Sequence, residues 1–322
     1  MKSRRGFIKN VAMGTLASLT ADKMLAQSQL EKPIRIGIIG AENSHATAYG
    51  KLFNIDKKFP GVEVKYVWGE TDAFALKTMH TGNIPYQVKD PKEMIGKIDA
   101  LIVDHRHPKY HLRAAIPFLE SGIPIFIDKP FCYRAQEGKE FLELAKKYGS
   151  PITSFSTVAQ SATTMDVKEQ VQSMKELSQV ISTGTLDLDS EYGGVFFYGV
   201  HLIEPLMKIF GEDITSVKVN RHGKYGNASI NFASGLFATL IFKSHAYGWE
   251  MFVENGSSFS ELKPRIKEPD PATCDTDLVE MFRIGKKPRT YQSILNGISV
   301  LEALEKSATS EKWVDVEYVK VE

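Results

Sequence analysis

Ile34-Arg35-Ile36-Gly37-Ile38-Ile39-Gly40-Ala41-Glu42-Asn43-Ser44-His45 is the stretch on which the fold turns. The run from Ile34 to Ile39 is apolar apart from Arg35 and ends on glycine, the pattern of a strand buried on both faces in a parallel sheet. Residues 41–44 make a polar turn, and 46–54 read as a helix with Ala48, Leu52 and Phe53 inward. A strand, a tight turn and a helix form the place where a dinucleotide binds if the glycines are right. The fingerprint asks for G-x-G-x-x-G. Only its first glycine, Gly40, is present. Glu42 stands where the backbone would approach a pyrophosphate, and His45 stands where helix and strand would pack closest. Asn43 and Ser44 offer side-chain donors beside the helix start, which itself favours an anion.

The same alternation continues outward. Residues 62–68 read as a strand and 73–80 as a helix. A strand ends at Asp104. Residues 111–121 form a helix stopped by Gly122, then 123–127 a strand, 135–148 a helix and 151–159 a last strand. Alternating strands and helices predict an α/β, Rossmann-like, doubly wound parallel sheet, with ligands at the carboxyl ends of its strands. Glu70, just past the second strand, is the nearest acid to hold an adenosine ribose. Asp104-His105-Arg106-His107 lies on the same side and is dense in ionisable groups. Arg106 and His107 are candidates for cofactor or substrate contact. The alternative, a metal set of Asp104, His105, His107 and His111, has suitable ligand types, but residues of one loop need not converge; no metal is expected.

The second half has a different rhythm. Residues 164–177 read as a polar helix and 179–187 as a strand. Gly194 to Phe210 is an apolar helix, carrying His201 and Glu204 three residues apart and so on one face. Strands at 214–220, 227–233, 236–245 and 248–254 follow without helices between them and predict an antiparallel sheet. Residues 255–276 read as a loop, 291–307 as a helix and 313–319 as a final strand. The expected organisation is a nucleotide-binding domain over 31–150 and an α+β domain with an open-faced antiparallel sheet over 151–322.

The remaining bounds are broad. With 322 residues the chain exceeds one ordinary core. A formal net charge of +1 gives no reason to expect nucleic acid. Cys132 and Cys274 are too few and too far apart for a disulfide framework or a metal knuckle. Ser3-Arg4-Arg5-Gly6-Phe7-Ile8-Lys9, followed by a modest apolar segment, resembles a twin-arginine export signal. Residues 1–27 are therefore expected to be removed on export to a periplasm, leaving no membrane span.

Taken together, these pieces resemble the Gfo/Idh/MocA oxidoreductases, the glucose–fructose oxidoreductase and inositol dehydrogenase group. The match runs through the Ile34–Gly40 strand and turn, and through His111, nineteen residues before the proline of Asp128-Lys129-Pro130, which stands for the family's glutamate-lysine-proline. It continues through Gly193-Gly194 to Glu204, for the family's triple glycine and D-x-G-x-H-x-x-D, and through Gly285-Lys286-Lys287-Pro288 and the closing helix and strand. The resemblance implies NAD or NADP and hydride transfer at a hydroxyl carbon of a sugar, polyol or glycoside, and a periplasm without a free nicotinamide pool would require that cofactor to be tightly held. It implies that Lys129 steadies the reacting oxygen and that His201, with a near-neutral imidazole, is the acid/base. Glu204 would orient His201 or the substrate, Asp128 would lie with Lys129 at the cofactor, and the second-domain sheet would join subunits into a homo-oligomer. Phe197 departs from the family's aspartate four residues before the histidine. Two other functions stay open: a redox-assisted glycosidase or lyase with no net change in NAD, and a non-catalytic sugar-binding or scaffold protein.

Overall fold

The computed structural model describes residues 33–223, 225–267 and 270–321. The proposed export signal lies outside the described residues.

The first sheet has six parallel strands, β1 (Ile34–Ile39), β2 (Val62–Trp68), β3 (Tyr86–Gln87), β4 (Ala100–Val103), β5 (Ile125–Ile127) and β6 (Ile152–Thr153), in the order β3-β2-β1-β4-β5-β6. The strand order reverses direction between β1 and β4, which is where such sheets open a crevice for ligands. Every residue of β4 and β5 is buried. That explains why these short runs are apolar throughout instead of alternating. Helices α1 (Ser44–Gly50), α2 (Asp72–Gly82), α3 (His111–Ala115) and α4 (Ala135–Tyr148) cross between strands. The first helix runs on as a π-helical turn over Lys51–Ile55, and the third as a 3-10 turn over Ile116–Ser121 ended by Gly122 at φ 65°.

Gly40 carries the tightest crossing. It has φ +108°, and a Cβ there would lie 2.6 Å from the Asp104 carbonyl carbon. The turn after β1 and the end of β4 are thus in backbone contact. Gly40→Ala is expected to cost about 3 kcal/mol, from left-handed strain plus overpacking. Urea denaturation of the variant measures it, and a change within about 0.5 kcal/mol, the scatter of an ordinary surface substitution, would refute the crossing.

The second half begins with two helices, α5 (Thr157–Gln160) and α6 (Ala162–Gln172), and continues with β7 (Leu177–Thr185) and α7 (Val195–Phe210). Then come β8 (Ile214–His222), β9 (Tyr225–Phe232), β10 (Phe237–Lys243), β11 (Glu250–Asn255) and β12 (Ser258–Glu261), helices α8 (Thr276–Ile284) and α9 (Tyr291–Ser310), and β13 (Val314–Asp315). These strands form one sheet in the order β12-β11-β7-β10-β9-β8-β13. It is mixed, not antiparallel throughout: β10 pairs β7 in parallel, with Phe237 opposite Gln179. Its other pairs are antiparallel. The hairpins β8–β9 and β9–β10 follow from turn signals. The parallel pair arises because the chain leaves β7 through α7 before returning, a crossover that a count of consecutive strands does not reveal.

Two further expectations need correction. Residues 255–276, read as a loop, contain the edge strand β12, which pairs with β11 and stacks the Phe259 ring on that of Phe252. Helix α8, over residues left without an element, buries Leu278, Val279, Met281 and Phe282 against the first sheet's core. Among the described residues, no helix is long and apolar enough to cross a membrane.

Candidate active site

The loops after β1, β4 and β5 meet at the carboxyl edge of the first sheet. Asn43 Nδ2 donates to Asp104 Oδ1 at 2.8 Å and to Asp128 Oδ2 at 3.2 Å. His45 Nδ1 lies 3.1 Å from Asp128 Oδ1, and Lys129 Nζ lies 3.7 Å from Asp128 Oδ2. Asp104, Asp128 and Lys129 are all buried. Burial raises Asp104 well above the ordinary carboxylate range, and the charge of Asp128 acts in the same direction. Burial also opposes a charge on Asp128, but Lys129 and His45 outweigh it and hold this carboxyl below the ordinary range. The pair therefore keeps one proton, on Asp104, and one charge, on Asp128, against the Lys129 ammonium.

Helix α7 brings His201 to the same cluster. The helix starts at Gly194, whose φ of 57° and ψ of −126° are open to glycine, and ends at Gly211. Its apolar face, including Val200, Ile203 and Leu206, fixes its rotation. His201 Nδ1 lies 2.7 Å from Ser156 Oγ. Burial holds the His201 imidazole down at about 3, and the Lys129 charge pushes the same way. This corrects the near-neutral value expected from the sequence. A desolvated imidazole beside a cation resists protonation. It is neutral across the physiological range, with Nε2 able to accept a proton when Nδ1–H donates to Ser156.

Glu204 does not bond His201. Its Oε2 accepts from the Ser156 backbone N–H at 2.6 Å, and its Oε1 accepts from Arg289 at 2.7 Å. The carboxylate holds Ser156, and Ser156 holds His201. Glu204 thus reaches His201 only through Ser156.

The altered glycine turn is bound from within. Glu70 Oε2 accepts from the N–H groups of Ala41 and Glu42, at 2.9 and 3.0 Å. The Glu42 carboxylate accepts from the Tyr192 hydroxyl at 2.8 Å, and Arg106 donates to the same hydroxyl at 2.8 Å. The Arg106 guanidinium lies over the Tyr192 ring, 3.8 Å from its centroid. Burial and the bond to Glu42 push the Tyr192 hydroxyl up to about 12, so it stays a donor. Phe197 fills the place of the absent aspartate, with Arg106 5.2 Å and Lys129 5.7 Å from its ring centroid.

His107 makes its contacts elsewhere. It accepts from the Lys109 N–H and packs edge-on against Tyr133. Ser44 opens α1. His111 has Nδ1 3.0 Å from the Pro130 carbonyl and Nε2 2.7 Å from that of His105. The nineteen-residue spacing read from the sequence is therefore a side-chain bond that ties the β4 loop to the β5 loop. These bonds also dismantle the metal set of Asp104, His105, His107 and His111. A different trio, His45, Asp104 and Asp128, puts ligand atoms within 4.8 Å of one another. Asp104 Oδ1 and both Asp128 oxygens already serve Asn43, His45 and Lys129, while Asp104 Oδ2 is buried without a hydrogen-bond partner.

Three groups of this cluster were not foreseen as participants. His45 was read only as a misfit in the glycine turn. Ser156 and Arg289 carry no sequence signal, because each acts through partners 45 to 85 residues away.

Comparison with known proteins supports the fold. Residues 34–155 match a family model described as an oxidoreductase family with an NAD-binding Rossmann fold. That model is the Gfo/Idh/MocA oxidoreductase family's, and it covers the first sheet and its helices. Among solved structures, the chain is similar to a myo-inositol 2-dehydrogenase from Lactobacillus plantarum, at 18% identity and a TM-score of 0.73, over 89% of this chain and 100% of that one. It is similar to a myo-inositol dehydrogenase from Lactobacillus casei in complex with NAD(H) and myo-inositol, at 12% identity and a TM-score of 0.74, over 90% and 98%. It is also similar to the WlbA dehydrogenase from Bordetella pertussis in complex with NADH and UDP-GlcNAcA, at 14% identity and a TM-score of 0.72, over 89% and 98%. At these identities the likeness is one of fold. No curated protein matches the chain.

The residues fit the adenosine end of NAD. Glu70 Oε1 is buried and has no partner, the acceptor that a ribose hydroxyl requires. The N–H groups of Ala41 and Glu42 are already engaged, and the Asn43 amide expected to help is spent on Asp104 and Asp128, so a pyrophosphate would rest on Ser44 and Arg106 instead.

Proposed function

We propose that this oxidoreductase moves hydride to or from a hydroxyl-bearing carbon of a sugar, polyol or glycoside, and that it holds NAD tightly. The convergence of Lys129 and His201 from separate domains carries the reading, through the Lys129 charge that bears on the imidazole. In the oxidative direction the Lys129 ammonium stabilises the oxygen as charge develops, and His201 Nε2 takes the hydroxyl proton. NAD, when bound, supplies the hydride acceptor. Asp128 keeps Lys129 charged and in place, and Ser156 fixes the His201 ring.

Glu70 supports NAD over NADP, since a 2′-phosphate would meet its carboxylate. Tight retention is supported by the Glu42–Tyr192–Arg106 contact, which joins the loop before α7 to the glycine turn. Tyr192→Phe is expected to speed nucleotide release by about tenfold, the equivalent of one hydrogen bond. Stopped-flow displacement measures it, and an unchanged rate would remove Tyr192 from the argument. Retention also suits export, which the Ser3-Arg4-Arg5 motif suggests, because a folded protein can carry its cofactor across.

A second reading shares the same groups. His45, on Asp128, is a second imidazole beside Lys129. It could serve the elimination step of a redox-neutral glycosidase, in which the hydride returns to the product. The outward side of the second sheet presents Ile241 and Phe259, both exposed, and is the surface we assign to subunit association.

The test is chemical. Protein purified after native export is denatured, and the released nucleotide is identified by mass spectrometry. Stoichiometric NAD(H) supports the proposal, and NADP(H) in its place corrects the Glu70 argument. Absence of any nucleotide, together with no binding on addition, would turn the reading toward a non-catalytic sugar-binding protein. Incubation with intact glycosides then separates the two enzymatic readings, since cleavage without net NADH change favours the second.

A further inference from the structure

Behind Ser156 and Glu204, on the side of α7 that carries Lys208, lies a cavity of about 470 Å³. Lys168, Lys208 and Arg289 line it, with Glu204, Glu212 and Phe155. Its two carboxylates are fully engaged. Glu204 serves the Ser156 N–H and Arg289, and Glu212 accepts from Ser293 Oγ at 2.6 Å and Asn296 Nδ2 at 2.7 Å. Arg289 is spent on Glu204 and on the carbonyls of Ser154 and Ser293. Lys168 and Lys208 are both half-buried, and among the described residues neither has an ion-pair partner. Burial lowers the Lys208 amine, and Lys168 and Arg289 lower it further, against the smaller pull of Asp277 and Glu204. Two neighbouring ammonium groups in a polar recess, with every nearby carboxylate oxygen of the lining taken, lack an anion. The volume suits a small ligand.

We propose that this cavity binds a small oxyanion of the phosphate or carboxylate class through Lys168, Lys208 and Arg289, and that occupancy is relayed to His201 through Glu204 and Ser156. The relay is short. An anion that draws Arg289 toward the cavity weakens its hold on Glu204 Oε1. Glu204 Oε2 in turn fixes the Ser156 backbone, whose hydroxyl meets His201 Nδ1. The proposal does not depend on hydride transfer, because binding needs neither NAD nor substrate.

The experiment is isothermal titration of the full chain with sodium phosphate and, separately, sodium citrate, against sodium chloride at matched ionic strength. Saturable binding of one ion per chain is expected for at least one of the two, and the arm that binds identifies the class. Lys168→Met combined with Lys208→Met should weaken it at least tenfold, while Lys208→Arg should retain it. Non-specific stabilisation by excluded salts would be the same in all variants. Absence of saturable heat with both ions overturns the proposal, as does equal affinity in the double variant. Thermal unfolding in chloride checks that the double variant is folded, and Lys208→Ala alone replaces it if it is not. In the wild type, saturation should shift the His201 ring nitrogen resonances. Unmoved resonances at saturation overturn the relay.

Discussion

Lys129→Met is expected to reduce turnover by about 10²-fold or more, the usual range for losing one preorganised charge aimed at a developing oxyanion. The loss should fall on kcat, because the ammonium acts most strongly when the substrate oxygen carries charge. A second effect separates a catalytic role from a structural one. The Lys129 charge helps to hold the His201 imidazole down at about 3. Removing a cation favours protonation, so the His201 pKa should rise in the variant, although burial keeps it below its ordinary value. Nitrogen chemical shifts of the imidazole report this without any substrate. The glycoside or polyol found active with the native protein reports turnover. A variant with unchanged kcat and an unmoved imidazole would remove Lys129 from the chemistry. His201→Ala should lose a similar factor, and the double variant should lose less than the product of the two, because the groups act on one oxygen and one proton.

The scaffold of this site was legible because its signals are local. Largely apolar runs ending at Gly40 and Asp104 mark the buried strands, and glycines bracket α7. The Lys129 and His201 positions came from a resemblance spread along the chain, and the fold brings them together. What was not legible depends on distance in sequence. Ser156 links His201 to Glu204 across 45 and 48 residues, and Arg289 reaches Glu204 across 85. No spacing rule covers such bonds. Glu70 was read as a ribose acid, yet its other oxygen closes the glycine turn. His45 was misjudged for a related reason. Judged against a glycine it is too large, but the space it enters is the one beside Asp128. The substitutions in the fingerprint compensate one another, and a position-by-position comparison counts each as a defect.

Acidification from pH 7 to pH 5 is expected to destabilise the fold, as a net over opposing groups. Burial depresses His105 and His201 to about 3 and lowers His111 as well. A histidine lowered on folding binds its proton more readily in the unfolded chain. Its stabilising contribution is therefore present above the unfolded pKa and is lost as pH falls below about 6.5, at up to ~1.4 kcal/mol per pH unit and group. Asp104, raised well above its ordinary range, and Asp275, raised to about 6 by burial, work the other way, since the folded state holds their protons first. Burial also lowers His107 to about 4 and raises Glu302, so four histidines against three carboxyls leave more protons on the unfolded chain, and stability should fall. Urea denaturation at pH 7 and pH 5 gives the sign directly. His105→Asn tests the assignment, because His105 Nδ1 is buried without a partner and lies outside the reacting groups. The variant should lose less stability on acidification than the native chain, by about 2 kcal/mol at pH 5. Equal acid sensitivity in the two proteins would mean that the buried ring is not what resists the proton.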